Sequence, residues 1–281
     1  MALGASIVVI GDEILEGFVQ DTNSWWLAGR LRHHGIEVAR IVAVGDDVDE
    51  IVDALGPELR RERPRVVFTT GGIGSTPDDV TYEAVAAALD VPLQTAGEIE
   101  RRVEAAVQWT AAHGVDVDDE LIDHMMRMAR IPAGGSLLGG DGSWTPGVRI
   151  DVDDGIDADG GAVIVILPGV PTQLRAIVTK VVEPQLLRGR GRDEVIAEVA
   201  HGFPESLLNR CFARLAEELP QVKVGSYPGA PMIVRLRGEA GAVATATAAV
   251  EAHLRELEDQ PGGARLRTAW NERLTATEER P

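Results

Sequence analysis

Residues Thr69 to Thr81 read TTGGIGSTPDDVT and follow the apolar run Val66, Val67, Phe68, so glycines, hydroxyls and two adjacent carboxylates gather just past a predicted strand. A strand that ends in a glycine turn exposes backbone N–H groups, and those receive anions. Gly71, Gly72 and Gly74 let a phosphate approach the backbone closely, while Thr70 and Ser75 add hydroxyl donors. Asp78 and Asp79 repel an anion, so a phosphate bound here needs a cation between it and the carboxylates. The residue types point to a metal-assisted phosphate site.

Two further loops share this character. Gly11, Asp12 and Glu13 follow the run SIVVI, and Gly45, Asp46 and Asp47 follow Val38 to Val44. Apolar spacing predicts helices between these runs: Leu27 and Leu31 after the cap candidates Asp21 to Ser24, then Ile51, Val52, Leu55 and Leu59 as far as Pro64, then Val80 to Leu89. Strand and helix alternating at this pace require a parallel sheet with helices on both faces, whose ligands sit beyond the carboxyl ends of the strands. Three loops carrying Gly with Asp therefore converge on one edge. Carboxylates from different loops suit Mg²⁺, with Co²⁺ as an alternative, because Mg²⁺ takes oxygen ligands and keeps positions for a substrate phosphate. Asp12 and Glu13 are placed to hold the ribose or ring of a nucleotide, and Asn23 and Ser24 open a helix whose N-terminus faces the same edge. Helix capping accounts equally well for Asn23 and Ser24, and it competes for Asp46 and Asp78 too.

Further along, helices are expected over 98–112 and 118–128, with Met125, Met126 and Met128 as core filler. A glycine-rich loop, Gly134 to Gly147, precedes strands at 148–152 and 163–167, separated by an acidic turn. Leu167 to Pro171 turns tightly into a helix over 173–182, and Pro168 and Gly169 are expected to form the wall opposite the glycine turn. Pro184 and the run RGRGRDE mark a boundary, beyond which a β-α-β-β-α order reads as a small α+β domain. The expected division is 1–187 for the phosphate-binding domain, 188–260 for the small domain and 261–281 for a mobile tail of weak periodicity.

A net charge of −18 argues against non-specific nucleic-acid binding, which needs clustered Lys and Arg. Cys211 is the only cysteine, so no intrachain disulfide or thiolate cluster is available, and it is expected to be buried on a helix. No apolar run approaches the roughly 20 residues that span a bilayer, and the expectation is a cytoplasmic protein. No G-x-x-x-x-G-K-[ST] occurs, and no G-x-G-x-x-G follows the first strand.

GDEILEG (Gly11 to Gly17), DTNS (Asp21 to Ser24), VGDD (Val44 to Asp47), TTGGIGSTPDDVT and LPGVPTQL (Leu167 to Leu174) together resemble, in order and spacing, the molybdopterin-binding-like domain of molybdopterin adenylyltransferases and of the CinA (competence-damage-inducible) family. The second unit resembles the small middle domain of CinA proteins through Gly202 to Leu219 and GSYPG. The resemblance implies an α/β fold with a mostly parallel sheet flanked by helices, plus the small α+β domain. It also implies a CinA-like protein without the amidase domain that many relatives add. The matching family activity is metal-dependent hydrolysis of a nucleotide pyrophosphate such as ADP-ribose, and a homodimer is expected. By the same resemblance Asp79 matches the acidic residue implicated in catalysis and metal binding, and Asp46 a second functional carboxylate; the adjacent Asp78 is taken from the residue types alone as a further candidate metal ligand. Ser75 stands where the family usually has proline, and the loop 134–147 lacks the family's common asparagine. Two other readings are molybdopterin binding or adenylyl transfer at the same edge, and a non-catalytic nucleotide-binding scaffold.

Overall fold

Seven residues from Gly4, GASIVVI, form a first strand in which all but the first are buried, the pattern of a strand covered on both faces. The computed structural model describes residues 1–139, 145–153, 155–156 and 161–278. A first compact unit, Met1–Arg192, begins with β1 (Gly4–Ile10), α1 (Asp12–Leu15), α2 (Asn23–His33), β2 (Glu37–Val44), α3 (Val48–Leu59), β3 (Arg65–Thr70) and α4 (Thr81–Leu89). It continues through β4 (Leu93–Thr95), α5 (Gly97–Ala112), α6 (Asp119–Arg127), β5 (Arg130–Pro132), β6 (Ser136–Leu138), β7 (Gly147–Val152), β8 (Ala162–Leu167) and α7 (Pro171–Ile177).

The main sheet has the order β2-β1-β3-β8-β7-β6, with β2, β1, β3 and β8 parallel and β7 antiparallel to both neighbours. The fold is thus α/β with a mostly parallel sheet, as expected. Alternation along the strands feeds two cores: Ile7, Val9 and Phe68 pack with Leu27, Leu31 and Leu174 on one face, and Val8, Ile10 and Val67 with Ile51, Leu55 and Val85 on the other. Each fully buried side chain of this kind contributes about 1.5–3 kcal/mol. The register sets the site. Ile10 lies opposite Val44, Val9 opposite Thr70, and Thr70 opposite Leu167, so the loops starting at Gly11, Gly45, Gly71 and Pro168 leave the sheet along one edge.

At the other end of these strands a polar group is buried. Glu58 on α3 is fully buried and accepts from the Ser6 hydroxyl at 2.5 Å, with Arg61 at 2.6 Å and Arg40 and Arg65 at 3.5 Å. Burial pushes its carboxyl up, but Ser6, Arg61 and Arg65 outweigh that and hold it below the usual glutamate range. A depressed folded-state value means that stability from this carboxylate is complete above the ordinary pKa of 4.5 and is lost as pH falls through the folded one. Glu58→Gln is therefore expected to cost about 3 kcal/mol at pH 7 by leaving buried Arg65 without its counter-charge. Urea melts should show the difference shrinking once the pH drops below the ordinary glutamate value.

Two segments differ from the sequence expectation. Pro184, expected to end the helix after α7, lies inside a π-helix, Val178–Leu187; the wider turn accommodates a residue that lacks an N–H. Its Glu183 is held by both nitrogens of an Arg30 fork, at 2.6 and 2.7 Å. The three-residue strands β4, β5 and β6 escape periodicity altogether.

The second unit, Asp193–Pro281, starts within the RGRGRDE run. It holds β9 (Val195–His201), a 3₁₀ turn (Glu205–Leu208), α8 (Asn209–Glu218), β10 (Lys223–Tyr227), β11 (Met232–Gly238), α9 (Ala240–Asp259) and α10 (Gly263–Glu278). An antiparallel sheet, β10-β11-β9, packs on α8 and α9 around Leu208, Cys211, Leu215, Val234 and Val250. The β-α-β-β-α order follows the sequence reading. The segment from Gly262 on, whose weak periodicity reads as a mobile tail, contains α10. Gly263 turns so tightly that a Cβ there would lie 2.0 Å from the Leu257 carbonyl, and Arg267 reaches back to Glu258 at 2.8 Å. Among the described residues no helix is long and apolar enough to cross a membrane.

Candidate functional site

The first two acidic loops are tied to each other. The Asp12 N–H donates to Asp46 Oδ2 at 2.9 Å, and the Asp46 N–H donates to Asp12 Oδ1 at 3.3 Å. Neighbouring Asp47 takes the capping role on α3, accepting from the N–H groups of Asp49 and Glu50. Capping therefore does not account for Asp46. Gly45 is needed beside this pair, since a Cβ there would come within 2.6 Å of Asp12 Oδ1. Burial pushes the Asp46 carboxyl above the usual aspartate range; the Asp12 N–H pulls the other way, and the carboxylates of Asp12, Glu13 and Asp78 add to the rise. Negative charge is thus concentrated where the first three loops meet.

The third loop is built on its glycines. Gly71 has φ 104°, and Gly72, at φ 63°, lies so close to the second loop that a Cβ would be 3.3 Å from Asp46 Oδ1. Buried Thr81, at the start of α4, locks the turn: its hydroxyl donates to the Gly71 carbonyl at 2.8 Å and its N–H to that of Gly72 at 3.0 Å. Among the described residues the N–H groups of Gly72 and Gly74 find no acceptor, so the turn keeps donors for an anion. Ser75 is half-buried beside them. Asp79 Oδ2 accepts from the Thr76 N–H at 2.8 Å and hydroxyl at 2.5 Å, while Asp78 is exposed. Arg127 clasps the far side, donating to the carbonyls of Pro77 and Asp79 at 3.3 and 3.1 Å.

The fourth loop closes the edge. Gly71 donates to the Leu167 carbonyl at 3.2 Å, and a Cβ on Gly169 would lie 3.4 Å from the Gly71 Cα. Asn23 bridges across, with Nδ2 donating to the Gly169 carbonyl at 2.7 Å and to Thr70 Oγ1 at 3.3 Å. The Thr70 hydroxyl donates in turn to the Pro168 carbonyl at 3.4 Å, so it positions the loop. Asn23 Oδ1 is buried without a partner among the described residues, an acceptor in reserve. Ser24 is bonded to Asp21, whose carboxylate also receives the N–H groups of Asn23 and Ser24 and so caps α2. Trp26 packs on the core while Trp25 is 76% exposed. Of the glycine-rich loop 134–147, residues 140–144 lie outside the described residues.

Gly11, Asp12, Glu13, Asp46, the 70–79 turn, Asn23, Pro168 and Gly169 thus meet at one edge. Thr81 and Arg127 were not expected there: Thr81 closes the acidic motif without an obvious role, and Arg127 comes from α6, with no signal in its own neighbourhood. Among the described residues no three His, Cys, Asp or Glu side chains form a ready ligand set for a metal. The crowded Asp12–Asp46 pair nevertheless fits a hard cation of the Mg²⁺ type, which uses one or two carboxylates and completes its shell with water and substrate phosphate.

Comparison with known proteins identifies the family of the chain. Residues 6–188 match the family described as "Probable molybdopterin binding domain". A protein of Pyrobaculum arsenaticum is 35% identical over 237 residues, covering 82% of this chain and 83% of its own length. A Desulforudis audaxviator protein named "Putative competence-damage inducible protein" is 38% identical over 192 residues, 68% of this chain and 43% of that one. The crystal structure of the protein CinA from Thermoplasma acidophilum, described as of unknown function, superposes with a TM-score of 0.51 at 28% identity, covering 63% of this chain and 95% of that chain. The chain belongs to the molybdopterin-binding domain family, in which its likeness is to the CinA proteins.

Proposed function

We propose that this chain hydrolyses the phosphoanhydride of a nucleotide diphosphate such as ADP-ribose with the help of a divalent metal, Mg²⁺ or Co²⁺. The observation that carries the reading is the reciprocally bonded Asp12–Asp46 pair beside a glycine turn with unused N–H donors. Asp46 and Asp12 would hold the cation, with Asp78 and Glu13 adding to the field. When bound, the metal polarises the pyrophosphate and lowers the pKa of the attacking water. The N–H groups of Gly72 and Gly74 receive phosphate oxygens, and the Asn23 bridge keeps the Gly169 wall against the turn. Asp79 spends Oδ2 on Thr76, which fixes the turn and leaves Oδ1 for the cation or for the proton of the attacking water. Glu13, next to Asp12 in the first loop, would accept from the hydroxyls of a ribose.

Asp79→Asn is expected to lower turnover about a hundredfold or more. Its stability should change by less than about 1 kcal/mol, because the amide oxygen still accepts from Thr76. Turnover within a factor of two of wild type would remove Asp79 from the reaction.

The family description supports a second reading, in which the same edge binds molybdopterin or transfers adenylate to it. One assay separates the readings: the purified protein is incubated with ADP-ribose, FAD, NADH, or ATP plus molybdopterin, each with and without Mg²⁺ or Co²⁺, and the products are identified by mass. AMP released from ADP-ribose only with metal supports hydrolysis. Adenylylated pterin supports the second reading, and nucleotide binding without turnover supports a scaffold.

A further inference from the structure

A cavity of about 360 Å³ opens at the opposite edge of the main sheet, where β1, β2 and β3 begin. It is about 20 Å from the acidic loops, the length of the seven-residue β1. Its lining includes Arg61, Arg63, Arg65 and Arg192 against two carboxylates, Glu37 and Glu62. Four guanidiniums around one cavity stand out in a chain whose formal charge is −18.

The charge there is only partly compensated. Buried Glu58 serves three arginines at once, Arg40, Arg61 and Arg65, so one negative charge faces three positive ones. Arg63 pairs with Asp153 at 2.5 Å, and Arg192 meets Glu37 at 3.7 Å. Arg65 is 3% exposed. Its Nη2 donates to the Ser6 hydroxyl at 2.6 Å and the Ala5 carbonyl at 3.3 Å, while its buried Nε–H has no acceptor among the described residues. Burial holds the Arg65 guanidinium below the usual arginine range; Glu58 opposes this and Arg61 adds to it. A buried guanidinium with an unused N–H, in a basic cavity wide enough for a small molecule, has the chemistry of an oxyanion receptor.

We propose that this cavity is a second ligand site, which takes a phosphate group, free or carried by a small metabolite, independently of any metal. Arg65 forms its floor, and Arg61, Arg63 and Arg192 form its rim. The site differs in kind from the acidic edge, which has carboxylates and requires a cation to hold the same group.

The test is calorimetric titration of the full chain with inorganic phosphate at constant ionic strength, with chloride as the replaced anion and a chelator present. The chelator silences the acidic edge. Expected is saturable binding of one equivalent, weakened about tenfold or more in the double variant Arg63→Gln/Arg192→Gln, which leaves the Glu58 cluster in place. The ¹H–¹⁵N signal of the Arg65 Nε–H should shift on the same isotherm. Titration with a phosphate monoester such as glycerol phosphate distinguishes the free ion from the ester: tighter binding of the ester assigns the site to a phosphorylated metabolite, and equal or weaker binding assigns it to the free ion. Absence of saturable binding by either, or a double variant that binds as the wild type does, would overturn the proposal.

Discussion

Asp46→Asn is expected to lower metal-dependent turnover by about a thousandfold or more while leaving the protein at least as stable as the wild type at neutral pH. The two effects share one cause. Burial and the carboxylates of Asp12, Glu13 and Asp78 raise the Asp46 pKa in the folded protein, so the folded state binds its proton more tightly than the unfolded chain does. The sign is the reverse of that for Glu58: the ionised Asp46 carboxylate costs stability above its folded pKa, and the cost is relieved as pH falls through it. Asparagine removes the repulsion at every pH and still accepts from the Asp12 N–H. A bound divalent cation relieves the same repulsion in the wild type. Mg²⁺ should therefore raise the wild-type melting temperature, by the equivalent of about 2.7 kcal/mol at a hundred times its dissociation constant. The Asp46→Asn melt should barely respond. Thermal scans with Mg²⁺ and with a chelator check this without any substrate, and an equal Mg²⁺ response in both proteins would remove Asp46 from the metal site.

The sequence located the loops of this edge better than it distinguished the residues within them. Apolar runs that end in glycine identify the strand exits, and parallel pairing brings those exits level, so the loops at Gly11, Gly45 and Gly71 are legible as one edge, with Pro168 and Gly169 read as the facing wall. Adjacent acidic residues are harder. Asp46 and Asp47 have the same chemistry and neighbouring positions, and only the backbone direction at the start of α3 decides that Asp47 caps and Asp46 turns toward Asp12. At the third loop, Asp79 accepts from both the Thr76 N–H and hydroxyl, while Thr76 together with the backbone holds the neighbouring Asp78 carboxyl below the usual aspartate range. Contacts between distant segments leave no local trace: Asn23 reaches Gly169 across 146 residues, and Arg127 reaches Asp79 across 48. Weak periodicity concealed α10 for a related reason. Most of that helix is exposed, so there is no apolar stripe to read.

Gly71→Ala should be the most destabilising single methyl group at this edge, at about 4 kcal/mol or enough to prevent folding. Two costs combine. At φ 104° a side chain adds roughly 1–3 kcal/mol of backbone strain. In addition, the new Cβ would lie 2.1 Å from the Ile10 carbonyl oxygen, which belongs to the end of β1 and cannot move without disturbing the central sheet. Any shift of Gly71 instead pulls on the Leu167 carbonyl and on Thr81, both bonded to it. Gly17→Ala isolates the first cost, because Gly17 has φ 76° with nothing within 4 Å of its Cβ position; about 1 kcal/mol is expected. Thr81→Val probes the same junction more gently, since it removes the hydroxyl that serves the Gly71 carbonyl, at about 1–2 kcal/mol. Chemical denaturation of the three variants orders them. If Gly71→Ala proved no worse than Gly17→Ala, the third loop would not be wedged against β1, and the close approach that brings Gly72 to Asp46 would lose its structural basis.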